Sequence, residues 1–166
     1  MNFQGQNISP ELIARVIDSS YSRMHGIHGL SHWIRVERNG LNLAAAEGGD
    51  LEVVSLFALF HDSRRLNDDT DHGHGSRGAR LAEQLRAEGL FEVTDEQLQM
   101  LVYACENHTD VAFSEHATAA CCWDADRLDL PRVGVTPDPR LLNTKTSKQK
   151  ARELRKRERY FGGAGA

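Results

Sequence analysis

Apolar residues recur at three- and four-residue intervals along most of the chain, which is the spacing of amphipathic helices. Ser9 followed by Pro10 predicts the start of a first helix, since serine caps free N–H groups and proline suits the first turn. The predicted inner face of this helix consists of Ile13, Ile17, Tyr21 and Met24. A second helix is predicted from Ser31 to Glu47, with Trp33, Val36 and Leu43 facing inward.

The third apolar segment, Leu51 to Arg65, is apolar nearly all round and is therefore predicted to be the central buried helix. A polar, glycine-bearing loop from Asn67 to Gly75 follows it. Four more helices are predicted: one ending near Arg86, one opened by the capping box at Thr94, one over Ala117 to Leu130, and a basic one over Ser147 to Arg159. Strand-like alternation is absent from the sequence, so we predict an all-α fold with about six core helices.

The 166 residues suit one domain, with 40% hydrophobic and 27% charged residues. The longest apolar run is far below the ~20 residues that span a bilayer, which excludes a membrane protein. The N-terminus lacks the pattern of a signal peptide. The three cysteines, Cys105, Cys121 and Cys122, form no CxxC pair, which argues against disulfides and a thiolate zinc site. We therefore expect a cytoplasmic protein.

Charge is distributed unevenly along the chain. Residues 140–160 carry +7, whereas the rest of the chain carries −11. We predict a hydrolase-type domain over residues 1–140 and a basic C-terminal helix or tail over 141–166. The acidic body argues against nucleic acid as a partner, and the basic segment has few interleaved aromatic residues. The other possible roles of the basic segment are a solvated helix, contact with an anionic substrate, or contact with a second subunit in a homo-oligomer.

Several histidines and aspartates are predicted to point into this helical interior. His61 and Asp62 end the most apolar segment, where a buried carboxylate needs a compensating cation or hydrogen bonds. His32 shares the inner stripe of its helix, and His108 shares that of the fifth. Asp126 lies one turn beyond Cys122 on the apolar face of the sixth helix. Imidazole and carboxylate converging from four helices favour a first-row divalent metal.

Asp124 lies about 200° from Cys122 around the same helix. It is therefore predicted to face solvent or to lie behind the ligands.

In their order and sequence contexts, these residues resemble the HD-domain metal-dependent phosphohydrolase superfamily. The matching segments are His32 in HGLSHWIRV, His61-Asp62 in LFALFHDSRR and Asp126 in CCWDADRLDL. The likeness covers about residues 25–130 and implies a single compact HD-domain bundle that binds a divalent ion through these four residues. It also implies that His74 in HGSRGA and His108 in ENHTD complete a two-ion site, with Asp62 between the ions. Mn, Fe, Mg, Zn and Ni are not distinguished by the sequence.

Three further residues are candidates for contact with a substrate. His28 lies four residues before His32 and is either a site histidine, for proton transfer or phosphate binding, or a residue of the helix start. Arg35 follows His32 by one turn and faces either an anionic substrate or solvent. Arg65 follows Asp62, and its guanidinium suits a phosphate group, although arginine is also favoured near a helix C-terminus.

The resemblance implies hydrolysis of a phosphate ester or phosphoanhydride in a nucleotide or another small phosphorylated metabolite. A metal-activated water needs no protein nucleophile, and the chain has neither a GxSxG elbow nor a GxxxxGK[ST] loop. Two alternatives remain open at this stage. Some relatives with the extended histidine set are di-iron oxygenases, and a non-catalytic metal-binding module would also retain the fold.

Overall fold

The computed structural model describes residues 3–21 and 26–161, and the regular structure of these residues is helical throughout. Along them lie α1 (Pro10–Asp18), α2 (Leu30–Glu47), α3 (Leu51–Phe60), α4 (His74–Ala87), α5 (Asp95–Asn107), α6 (Ala117–Arg127) and α7 (Lys145–Phe161). Short 3-10 helices over Leu130–Val133 and Pro139–Leu141 connect α6 to α7. The predicted all-α fold is confirmed.

Helix α3 is the centre of the bundle, as its apolar sequence predicts. Its residues from Val53 to Phe60 are all buried, and the Asp50 carboxylate caps its N-terminus by accepting from the backbone N–H groups of Glu52 and Val53. Helices α2, α4, α5 and α6 all contact it. Because α3 has no polar face, it is stable only inside this shell, and residues at its C-terminal end enter the interior of the protein.

The predicted inner face of α1 is wrong by one residue. Leu12 and Val16 are fully buried, whereas Tyr21 lies beyond the helix and is 60% exposed. Met24, the last residue of the predicted stripe, lies outside the described residues. Both stripes have i, i+4 spacing, so periodicity alone does not choose between them; packing against α3 does.

Helices α3 and α6 end earlier than the sequence predicts, at Phe60 and Arg127 rather than Arg65 and Leu130. After α3 the backbone tightens, and the Ser63 N–H donates to the carbonyl of Phe60, three residues back. Such i→i−3 bonds turn the chain more sharply than α-helical bonds do. His61 and Asp62 consequently lie in a tight turn, which lets two adjacent side chains face the same interior.

Two glycines of α4 allow it to approach its neighbours closely. A Cβ at Gly75 would lie 2.1 Å from the Cys105 carbonyl oxygen of α5, and one at Gly78 would lie 2.3 Å from the Phe60 carbonyl oxygen of α3. No side chain fits at either contact, so glycine sets both helix separations. The close approach brings the first residue of α4, His74, next to the ends of α3 and α5.

The basic helix α7 is slightly longer than predicted and is anchored to the bundle by its first half. Ala151 is fully buried, and Thr146 donates through its N–H and hydroxyl to Glu47 at the end of α2. Its more C-terminal cations are largely exposed. The division of the chain after residue 140 stays a prediction. Within the described ranges, none of the helices is long and apolar enough to cross a bilayer.

Candidate metal centre

Three side chains from three helices form a first group of potential metal ligands. His32 lies in the first turn of α2, His61 follows the last residue of α3, and Asp126 lies near the end of α6. His32 Nε2 is 3.2 Å from His61 Nε2 and 3.3 Å from Asp126 Oδ1. Both histidines are fully buried, whereas the Asp126 side chain is 23% exposed, so this group opens to solvent beside Asp126.

A second group consists of Asp62, His74 and His108, all of them buried. His74 Nε2 lies 2.9 Å from His108 Nε2 and 3.2 Å from Asp62 Oδ1. His74 begins α4 and His108 directly follows α5, so the close pairing of these two helices creates the group. The structure thus brings together the two histidines that the resemblance added to the site.

The Asp62 carboxylate lies between the two groups. Its Oδ2 is 3.5 Å from Nε2 of both His32 and His61, whereas its Oδ1 faces His74 and His108. One carboxylate therefore presents one oxygen to each group, the arrangement required of a ligand shared between two neighbouring cations.

In all four histidines the other ring nitrogen, Nδ1, faces a hydrogen-bond acceptor. The acceptors are the Asp129 carboxylate for His32 (2.7 Å), the Phe57 carbonyl for His61 (3.1 Å), the Asp71 carbonyl for His74 (2.6 Å) and the Cys105 carbonyl for His108 (2.7 Å). Because these oxygens only accept, Nδ1 carries the hydrogen and a neutral ring directs its Nε2 lone pair into the centre. Metal-binding histidines are oriented in this way, so the donor set fits divalent cations.

The pKa values in the first group favour a positive charge on His32 but not on His61. Burial lowers the pKa of His32, but the carboxylates of Asp126, Asp129 and Asp62 outweigh it and raise the pKa to about 10. Burial dominates for His61, whose pKa falls to about 3. Burial would raise the pKa of Asp62, yet the surrounding imidazoles lower it, so this carboxylate stays ionised. A proton or a metal ion can supply the compensating charge, and the two compete.

Asp129, which the sequence analysis did not single out, fixes the orientation of His32. Its Oδ2 accepts from His32 Nδ1, and the two oxygens also accept from Nε (2.7 Å) and Nη2 (3.0 Å) of Arg35. Arg35, predicted to face substrate or solvent, is therefore engaged by Asp129. The available signal was the spacing in DADRLD, since Asp129 lies three residues after Asp126, but an aspartate beyond a helix end is common in loops.

Arg65 and His28 lie at the rim of the centre. Arg65 is buried, with Nη1 3.4 Å from Asp62 Oδ1 and Nη2 donating to the Asp69 carbonyl at 2.8 Å. His28 precedes α2, and its Nδ1 lies 2.9 Å from Asp68 Oδ1. Its ring stands edge-on to that of His32, with 6.2 Å between centroids. Both predicted contact residues thus adjoin the ligand groups.

Of the two expected positions for Asp124, exposure to solvent is wrong. Asp124 is fully buried, and its carboxylate accepts from the backbone N–H groups of Asn143 (2.8 Å) and Thr144 (2.8 Å) and from the Ser147 hydroxyl. These donors precede or begin α7, a segment whose path over α6 the sequence pattern does not reveal. Asp124 is thus a structural anchor for the C-terminal segment, whereas Asp126 enters the ligand group.

A cavity of about 330 Å³ opens beside the second group, within the ~300–1,000 Å³ typical of small-molecule sites. Arg65 and His74 reach it from the centre, and Thr109 lies on its wall. Its other charged residues are mostly acidic, namely Asp69, Asp71, Glu106 and Asp110. An anion entering this cavity meets a negative field, which cations held at the centre would offset.

Comparison with known proteins identifies a fold. Family models and curated proteins yield no match to the chain. A crystal structure of a predicted HD superfamily hydrolase from an uncultured Thermotogales bacterium superposes with a TM-score of 0.68 at 24% sequence identity. The superposition covers 94% of this chain and 93% of the other. The chain therefore has the HD-domain fold.

Proposed function

We propose that the protein is a metal-dependent phosphohydrolase that binds one or two divalent ions. His32, His61, Asp126 and Asp62 would hold the first ion, and Asp62, His74 and His108 the second. The observation that carries this proposal is the orientation of the four histidines. Each Nδ1 is bound to an acceptor, while the Nε2 atoms meet in two pairs beside the Asp62 carboxylate. The Nε2 atoms of the two pairs are 3.2 and 2.9 Å apart, too close for two unprotonated nitrogens, so each pair requires a proton or a metal ion between its rings.

When bound, such ions lower the pKa of a water molecule and neutralise charge on phosphoryl oxygens. The protein supplies the geometry for this chemistry. Asp129 and the backbone carbonyls hold the imidazoles in place, and the apolar shell around α3 excludes bulk water from the fully buried His32 and His61. A phosphate ester can approach from the open side beside Asp126 and from the cavity at His74.

The residues at the rim take the remaining roles. Arg65 is proposed to contact the phosphate at the edge of the second group, since its Nη1 already lies beside Asp62. His28 is proposed to exchange a proton with the substrate or to bind its phosphate. The pKa of His28 is lowered, mainly by burial, which favours a neutral imidazole able to accept a proton. Contact between Arg35 and substrate stays a prediction, because both of its bonded nitrogens face Asp129.

The substrate class that we propose is a nucleotide or another small phosphorylated metabolite. The cavity volume suits a molecule of that size. The Thermotogales protein with the same fold is a predicted hydrolase. A phosphohydrolase also fits a centre whose candidate ligands are histidine and aspartate, because a metal-activated water would then be the attacking group.

The test is a phosphate-release screen with protein loaded separately with Mn, Mg, Fe(II), Zn or Ni. Nucleoside mono- and triphosphates, dinucleotides and sugar phosphates are offered as substrates, and the His61→Ala variant is the control. We expect release by the wild type with at least one metal and none by the variant. Metal-loaded wild type that releases no phosphate from any of them contradicts the proposal. Dioxygen consumption by the iron-loaded protein would instead identify an oxygenase.

A further inference from the structure

Arg132 is a half-buried arginine with a buried, unused donor close to the first ligand group. It lies in the 3-10 helix Leu130–Val133, and its side chain is only 12% exposed. Its Nε donates to the Ile27 carbonyl at 2.8 Å. Nη1 is buried, and no acceptor within the described part of the chain lies at hydrogen-bond distance from it. Among the buried side-chain polar atoms described by the structure, this is the one without a partner.

A buried guanidinium nitrogen without an acceptor destabilises the folded protein, so such atoms are rare and often mark a ligand site. Asp129 is not an acceptor for Arg132 Nη1. Its Oδ2 is 3.8 Å from Arg132 Nε, and both of its oxygens already accept from His32 and Arg35. The Asp129 carboxylate is therefore occupied by His32 and Arg35, which leaves the Arg132 guanidinium without a carboxylate that it hydrogen-bonds.

The position of Arg132 relative to His28 places this charge at the rim of the proposed active site. The His28 ring stands edge-on to that of His32, and the chain just before it, at Ile27, is bonded to Arg132. Burial first, and then the nearby guanidiniums of Arg65 and Arg132, lower the pKa of His28. Arg132 and Arg65 thus both lie near His28, whose ring adjoins the ligand group.

We propose that Arg132 binds a phosphoryl oxygen of the substrate, an inference that rests on the proposed phosphohydrolase function. The ligand is a tetrahedral oxyanion, either free phosphate or the phosphoryl group of an ester. Guanidinium groups bind such anions through two N–H donors at once, which a single ammonium does not reproduce. Because the side chain keeps some exposure, a small movement of the guanidinium presents Nη1 to the entering anion.

The test measures the binding of inorganic phosphate by calorimetry to metal-free and Mn-loaded protein. Arg132→Met removes the charge and donors but keeps an unbranched chain, and Arg140→Met is the matched control, because Arg140 is exposed and pairs with Asp138 at the surface. We expect Arg132→Met to bind phosphate at least about tenfold more weakly, the loss typical of a charged hydrogen bond, with unchanged Mn content. Arg140→Met should bind phosphate as the wild type does. With a phosphate ester, Arg132→Met should raise KM.

Wild-type phosphate affinity in Arg132→Met, or no phosphate binding by the wild type in either form, overturns the inference. If Arg132→Met does not fold, Arg132→Lys decides. It keeps the charge beside Asp129 but not the paired donors, so it should fold, retain Mn and bind phosphate more weakly; wild-type affinity overturns the inference. The proposed function fails separately, when no phosphate ester is hydrolysed although phosphate binding depends on Arg132.

Discussion

The two ligand groups are built in different ways, although Asp62 joins them. His32 and Asp126 of the first group lie within helices, and the side chain of Asp129 fixes the His32 ring. The histidines of the second group lie at helix ends, where backbone carbonyls orient both rings and Gly75 sets the helix separation. The first group therefore depends on a network of side chains, and the second on the close approach of two backbones.

The largest effect is expected from His61→Ala, which removes a fully buried proposed ligand from the first group. Loss of a residue that orients a ligand weakens metal binding about 10–100-fold, so loss of the ligand itself should exceed that. Elemental analysis should show strong loss of metal, and activity should disappear. His116→Ala, at an exposed histidine outside both groups, is the control and should retain metal. Full metal occupancy in His61→Ala would remove the first group from the proposal.

His108→Ala tests whether the second group is a separate site. We expect the metal content to fall from two ions to one, because His32, His61 and Asp126 remain, and activity to fall steeply. Titration with Mn, followed by elemental analysis, measures the stoichiometry. A wild type that saturates with one ion, together with an active His108→Ala, would show that the centre is mononuclear.

Gly75→Ala should damage the second group without altering any ligand. The added Cβ would collide with the Cys105 carbonyl oxygen, and overpacking of this kind destabilises by about 1–3 kcal/mol. As α4 moves from α5, His74 and His108 separate, so the second ion should bind more weakly while the first is retained. Arg80→Ala, on the exposed face of α4, serves as the control. If both ions bound equally more weakly, the two ligand groups would not be independent.

Asp129→Asn tests the side-chain network of the first group. The amide can still accept from His32, but it loses the negative charge that holds Arg35 and supports the imidazole. Affinity for the first ion should fall about 10–100-fold, and the second ion should be little affected. Metal titrations in competition with a chelator measure this change. An unchanged affinity would assign Asp129 to structure alone.

The smallest effect on metal content is expected from Asp124→Asn, a change two residues from the proposed ligand Asp126. Because the Asp124 carboxylate anchors Asn143, Thr144 and Ser147, the change should lower the free energy of unfolding by about 1–3 kcal/mol while metal content is kept. Asp126→Asn should do the opposite, losing metal with little loss of stability. Chemical denaturation measures the stability of both variants, and elemental analysis measures their metal content. Loss of metal in Asp124→Asn but not in Asp126→Asn would mean that Asp124 is the ligand and Asp126 the structural residue.

Much of the helical fold can be predicted from the sequence, because apolar periodicity and capping residues are local signals of a helix. Ser9 and the Thr94–Gln97 capping box mark helix starts that the structure contains. Helix ends without glycine or proline are less visible, which is why α3 was predicted to continue beyond Phe60. The face of Asp126 was predicted from its position relative to Cys122, and the structure places its carboxylate beside His32.

The sequence by itself indicated His32, His61, Asp62, His108 and Asp126 as possible ligands, because burying histidine and aspartate among apolar side chains requires a compensating charge. His74 was implied only by the resemblance to the HD-domain superfamily. The division of these residues into two groups depends on contacts between residues far apart in the chain, such as α4 with α5. The same holds for Asp129, Asp124 and Arg132, whose side-chain hydrogen-bond partners cited above lie between 19 and 105 positions away. Helical periodicity reports only which face of a helix is apolar, so the tertiary structure alone decides which polar side chains meet across that interior.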